Sequence, residues 1–165
     1  MNRQVLLSRL RDRQVPETLV KWIEAFCTSR QASIVVNEVE SPIYDLPQAG
    51  LPQGSPPSPI LFLFFDADLV QIPITKKRGA IAFVDDFTAW VVRPSAGTNT
   101  HRLQSELIPR VEEWERESGA SFQLEKIAFT YFTRTKTRLE DRLPLMVKGA
   151  EVSDTLQVEI LGVVL

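Results

Sequence analysis

Two adjacent carboxylates, Asp85 and Asp86, stand between short apolar runs in the stretch AIAFVDDFTAWVV, Ala80 to Val92. Paired acids in a fixed frame are hard oxygen donors of the kind that hold Mg²⁺ or Mn²⁺. Aspartates also serve plain turns, where they accept local backbone hydrogen bonds. The sequence has one histidine, His101, and one cysteine, Cys27. A Cys/His zinc centre is therefore excluded, and any metal must rest on oxygen. A second stretch, Gly50 to Pro59, reads GLPQGSPPSP. Its glycines let backbone come close to another molecule, and Gln53 offers an amide that both donates and accepts.

These groups need elements to position them. The runs around Asp85 and Asp86 are rich in Val, Ile, Phe and Trp. They predict a strand hairpin with both acids at its tip. The proline- and glycine-rich segment Pro47 to Pro59 predicts an irregular loop. It leads into a buried helix from Pro59 to about Gln71, capped by Ser58 or Ser55 and apolar nearly all round until Asp66. Asp66 and Asp68 lie too far apart around that helix to share an ion and read as surface or helix-end acids. Upstream, residues 3 to 13 read as a short basic helix. Pro16 opens a second helix reaching about Arg30, with Cys27 on its apolar face. Ala32–Val36 reads as a strand, turned by Asn37-Glu38, and Ser41–Leu46 returns as a second strand or extended segment. Downstream, Thr98 or Asn99 caps a long helix through Leu103, Leu107, Val111 and Trp114, which Pro109 kinks near Ser105 and Gly119 ends. Phe122–Leu124, Ile127–Thr133, Leu143–Val147 and Val158–Val164 read as strands.

GLPQGSPPSP followed by FVDD (Phe83 to Asp86), in that order and spacing, resembles the reverse transcriptases, in particular those of fungal non-LTR retrotransposons. One departure is Pro57, where leucine is usual. The resemblance implies an RNA-directed DNA polymerase that transfers nucleotides with two Mg²⁺ (or Mn²⁺) ions. Asp85 is then the principal catalytic and metal-binding carboxylate, and Asp86 assists it. Phe83 faces the primer end, and Gln53, Gly54 and Ser55 line the pocket for nucleotide and template. Lys126 follows Gly119 at the spacing of the next family motif, where it would protonate the leaving pyrophosphate. The implied partners are an RNA template, a DNA primer and dNTPs.

The implied fold class is α+β, the polymerase palm: a split, ferredoxin-like β-α-β-β-α-β unit that lacks its first strand. Residues 1–46 form the preceding helices and a strand pair, 47–135 the palm core, and 136–165 the start of a primer-grip hairpin. The family's other essential aspartate lies on a strand ahead of this chain's first helix, where Met1, Asn2 and Arg3 stand. The expectation is thus a partial palm, inactive alone, with Leu6, Leu10, Ile160 and Val164 partly exposed. The alternative is a catalytically inactive retrotransposon remnant that at most binds nucleic acid or a partner. An unrelated carboxylate hydrolase would leave the glycine-proline loop without a role.

The 165 residues suit one domain, and 44% hydrophobic content is enough for an ordinary core. A net charge of −2 carries no polyanion signature. Charge is uneven, however: residues 37–75 hold no Lys or Arg, while Lys126, Arg134, Lys136, Arg138, Arg142 and Lys148 make 126–148 a basic cluster suited to phosphates. A single cysteine cannot form an intrachain disulfide and fits an intracellular, cytoplasmic or nuclear setting. The longest apolar run, ILFLFF, falls far short of the ~20 residues of a bilayer span. MNRQVLLSRL lacks the apolar core of a signal peptide.

Overall fold

A computed structural model describes residues 1–47 and 49–165; Gln48 of the proline-rich loop and the side chain of Lys136 in the basic cluster lie outside the described residues. The chain divides into two compact units, Met1–Phe65 with Glu117–Ala120, and Asp66–Arg116 with Ser121–Leu165.

In the first unit, helix α1 (Arg3–Asp12) is capped by the Asn2 side chain, which accepts from the Gln4 N–H at 3.0 Å. It packs on α2 (Glu17–Phe26), which Pro16 opens. Leu6, Leu7 and Leu10 recur on one face of α1, and Val20, Ile23 and Cys27 on one face of α2; all six are buried. Leu6 and Leu10 are therefore core residues, contrary to the expected exposure, because their four-residue spacing turns both inward. Burial pushes the Cys27 thiol pKa up. Helix α2 stops four residues short of Arg30: the Thr28 hydroxyl donates back to the Ala25 carbonyl, and Ser29 has φ +51°.

Two short antiparallel ladders follow. Strand β1 (Gln31–Ala32) pairs with β4 (Tyr44–Asp45), and β2 (Val35–Val36) with β3 (Val39–Glu40). Asn37 and Glu38 turn the inner ladder with φ of +49° and +65°, the signs a two-residue hairpin needs. Helix α3 (Pro57–Val70) starts two residues earlier than expected. Pro57 and Pro59 both fit a first turn, where no N–H is required. Ser58 is not its cap: its hydroxyl donates to the Pro52 carbonyl at 2.7 Å. Leu61, Phe65 and Leu69 are buried, but Ile60 and Leu63 are more than half exposed, so α3 is one-sided and not buried all round. Asp66 is only 5% exposed, which corrects its reading as a surface acid.

In the second unit, β5 (Arg78–Phe83) and β6 (Asp86–Val91) form a six-residue ladder. Helix α4 (Ala96–Arg102) runs through a π-helical turn (Leu103–Leu107) into α5 (Ile108–Ser118). The cap is Ser95, upstream of the expected Thr98 or Asn99, in a reciprocal capping box with Thr98. Pro109 has no N–H to offer Ser105, and the ladder slips at this place: the Ile108 N–H bonds the Leu103 carbonyl. Gly119 ends the helix with φ +66°.

Beyond it, Phe122–Leu124 and Ile127–Thr133 are not strands. Leu124–Lys126 is one 3₁₀ turn, and the following segment is extended without a ladder. Its alternation serves packing instead: Ile127 and Phe129 lie against buried Ile108, Leu145 and Val147. Strands β7 (Leu145–Val147) and β8 (Ala150–Val152) pair across Lys148-Gly149. The strand expected over Val158–Val164 is split into β9 (Glu159–Ile160) and β10 (Val163–Val164), paired across Leu161-Gly162, where Gly162 has φ +81°. Helices mixed with antiparallel strand pairs give the expected α+β class. Among the described residues the strands form five separate two-stranded ladders. No helix among the described residues is long and apolar enough to cross a membrane.

Candidate active site

The acids sit on the β5–β6 hairpin, one residue out of the expected register. Val84 and Asp85 make the two-residue turn, and Asp86 opens β6 opposite Phe83. Asp85 alone is thus at the apex, while Asp86 belongs to the ladder. The shift places a β-branched residue, Val84, at φ +52° in the left-handed region that normally suits glycine or asparagine. Strain of this kind is held only where neighbouring pairing over-determines it. Here six cross-strand pairs, from Arg78–Val91 to Phe83–Asp86, fix both arms.

Pairing also fixes which side chains share a face. Phe83, Asp86, Ile81 and Thr88 lie on one side of the hairpin, and Ala82, Phe87, Ala80 and Ala89 on the other. The first face is open: Phe83 is 62% and Ile81 42% exposed. The second is anchored, because the Phe87 ring lies 6.1 Å from Phe122, whose ring lies 5.7 Å from buried Trp114 of α5. At the base of the hairpin, Gly79 sits under the indole of Trp90, its cross-strand partner. A side chain there would overlap the ring, so glycine is what lets Trp90 lie across β5.

Asp85 and Asp86 are exposed, and neither carboxylate accepts a bond from a described side chain. Their oxygens therefore remain open to a cation. Two adjacent carboxylates fit one hard divalent ion that keeps most of its water. No group of three His, Cys, Asp or Glu side chains among the described residues is placed to ligate an ion. The donor set at the tip thus fits one ion and does not enclose two.

Of the other expected residues, Gln53 and Gly54 form the exposed corner of a turn closed by the Ser55 N–H on the Pro52 carbonyl at 3.3 Å. Gly54 has φ +83°, and nothing stands within 4 Å of where a Cβ would be. Ser55 is half-buried and accepts at its carbonyl from the Ser58 N–H. The backbone there is approachable from outside. Lys126 closes the 3₁₀ turn and is exposed, with no bond from its amine to a described residue. The hairpin tip brings Phe83, Asp85 and Asp86 together, and the Phe87–Phe122 contact ties that hairpin to the segment leading to Lys126. The basic cluster is partly neutralised: Lys148 pairs with Glu115 at 2.6 Å and Arg142 with Asp154 at 3.2 Å.

Sequence reasoning missed the anchoring residues Gly79, Trp90, Phe87 and Phe122. A glycine followed eleven positions later by Trp across a two-residue turn was the available signal, since that register makes them direct partners. Residues 2–165 match the family model described as reverse transcriptase (RNA-dependent DNA polymerase). No curated protein and no solved structure matches the chain.

Proposed function

Because the chain belongs to the reverse transcriptase family, we propose that it carries the palm portion of a template-directed nucleotidyl transferase of the non-LTR retrotransposon type. The observation that carries this reading is the hairpin tip: two exposed carboxylates without partners among the described residues, on a strand pair held by aromatic rings. Asp85, at the apex, is the principal ligand for Mg²⁺ or Mn²⁺, and Asp86 assists from the first position of β6. A divalent ion held there would supply charge stabilisation for a phosphoryl centre and lower the pKa of an attacking hydroxyl. Two ions need more donors than this pair contributes, so no two-ion step is assigned to it.

The chain's own residues do the rest by placement. Phe83 shares the open face with Asp86 and offers an aromatic ring to a primer terminus. The turn Pro52–Ser55 offers backbone and the Gln53 amide to a template base or incoming nucleotide. Lys126, exposed and unengaged among the described residues, is the proton donor for the leaving group. RNA template, DNA primer and dNTPs are the partners in this reading, in an intracellular setting. The runner-up is a non-catalytic remnant that binds nucleic acid. It is favoured by the lack of a third ligating side chain beside the pair among the described residues.

Paramagnetic broadening by Mn²⁺ separates the cases in part. It should centre on Val84–Phe87, and Asp85→Asn should weaken it by about tenfold, the loss of one charged ligand. Broadening centred elsewhere would remove the metal assignment. Primer extension on an RNA template, with the remaining polymerase segments supplied by an intact relative, should vanish in Asp85→Ala. Equal extension by that variant would remove the catalytic assignment and leave the remnant reading.

A further inference from the structure

A cavity of about 250 Å³ lies in the second unit, between the base of the β5–β6 hairpin and the α4–α5 helix. Arg78 and Trp90 reach it from the hairpin, and Arg102, Glu106 and Arg110 from the helix. The π-helical turn makes that convergence possible. Eight residues of unbroken α-helix would set Arg110 about 80° away from Arg102. Taking one residue out of the ladder, as the Ile108–Leu103 bond does, reduces the offset to about 20°.

Three guanidiniums meet one carboxylate here. Glu106 binds Arg102 at 2.5 Å and Arg78 at 3.5 Å, so its single negative charge is shared. Arg110 donates to the backbone carbonyl of Asp68, a neutral acceptor. The Arg102 Nε–H is shielded from solvent and has no acceptor among the described residues. One shared carboxylate does not balance three guanidinium charges, and an anion in the cavity would supply the missing negative charge. Trp90, whose indole lies over Gly79, also lines the cavity and supplies an aromatic group at its edge.

We propose that this cavity binds a phosphate monoester with a planar organic body: the phosphate on Arg102 and its neighbours, the body against Trp90. Forked guanidiniums match phosphate geometry. The volume is below the ~300–1,000 Å³ of drug-sized ligand pockets, which limits the occupant to about one nucleotide. The site uses none of the residues at the hairpin tip. Arg78 stands five residues from Phe83, roughly 17 Å along the strand.

The test is titration of the whole chain with adenosine 5′-monophosphate, followed by amide, indole and Arg Nε–H resonances. Saturable shifts should appear at Gly79, the Trp90 indole and the Arg102 Nε–H. Adenosine and inorganic phosphate should each bind at least about tenfold more weakly, as expected for loss of charge-assisted bonds or of the stacked body. Arg102→Gln should weaken binding by about tenfold, and Glu106→Gln should tighten it, because it releases two guanidiniums. The second variant keeps the test decisive if the first fails to fold. Asp85→Asn should change nothing, which separates this site from the proposed catalytic tip. A 5′-phosphorylated trinucleotide that binds as well as the mononucleotide would identify a strand end as the source; exclusion of it would identify the free nucleotide. Shifts confined to other residues, weakened binding in Glu106→Gln, dependence on Asp85, or inorganic phosphate binding as tightly as the nucleotide would overturn the proposal.

Discussion

Gly79→Ala tests whether the hairpin base is built as described. A Cβ at this position would lie 2.3 Å from Cζ2 of Trp90, 2.7 Å from Cη2 and 2.8 Å from Cε2. Carbon atoms are comfortable at about 3.5–4.0 Å, so the indole must move by roughly an ångström. The ring is rigid and cannot yield by bending one end. Overpacking of this kind costs about 1–3 kcal/mol. Alanine recovers about 0.5–1 kcal/mol because it loses less backbone freedom than glycine on folding. The net destabilisation expected is about 1–2 kcal/mol, or a melting temperature lower by roughly 2–8 °C for a chain of this size. Denaturant unfolding of Gly79→Ala, Trp90→Leu and the double variant gives the decisive comparison. If the indole is the obstacle, Gly79→Ala should cost little or nothing once Trp90 is gone, a coupling of about 1 kcal/mol or more. A single variant as stable as the parent, or one equally destabilised without Trp90, would refute the argument.

Two further outcomes join the metal, extension and nucleotide titrations described above. Val84→Asn should stabilise the chain by about 1 kcal/mol, because asparagine tolerates the left-handed backbone that a β-branched residue resists; lower stability in denaturant unfolding would contradict strain at this turn. Asp141 accepts from the Ser95 hydroxyl at 2.5 Å and from the Gly97 amide, and these bonds hold its carboxyl below the ordinary range. Its contribution to stability is therefore present above the unfolded value of ~3.9 and is lost as pH falls through the lowered folded value. Asp141→Asn should flatten the acid limb of the stability–pH curve by lowering stability at neutral pH while leaving it nearly unchanged once the parent carboxyl is protonated; an unaltered acid limb would contradict the role.

Local chemistry was readable where one residue type forces one geometry. Asn37-Glu38 turned, Gly119 stopped its helix, and Pro109 disturbed the ladder where its missing N–H predicted. The hairpin was legible from its apolar runs, but not its register, because two adjacent acids look like a turn and a valine does not. Only the cross-strand pairing moves the apex to Val84-Asp85. Alternation misled at Ile127–Thr133, where period-two hydrophobicity served packing against Ile108 and Leu145 with no ladder formed. Asp66 looked like a surface acid because burial of a charged group leaves no mark in local sequence. The cavity arginines were invisible for a related reason: Arg102 and Arg110 share a wall only after the helix has dropped a residue from its ladder.

The five ladders have a kinetic meaning. Each joins strands that leave and return within a short span of chain, so each is closed by a small loop and can form early without waiting for distant partners. The same independence applies in reverse. Among the described residues no sheet joins the ladders, so one can open while the others stay shut, and protection is set locally by what each one buries. The β2–β3 turn, with Val35, Val36 and Val39 facing solvent, has little to hold it. The β7–β8 pair is fastened by Leu145 and Val147. Amide exchange should therefore proceed ladder by ladder, with the hairpin carrying Asp85 protected to the extent that its own aromatic anchors hold.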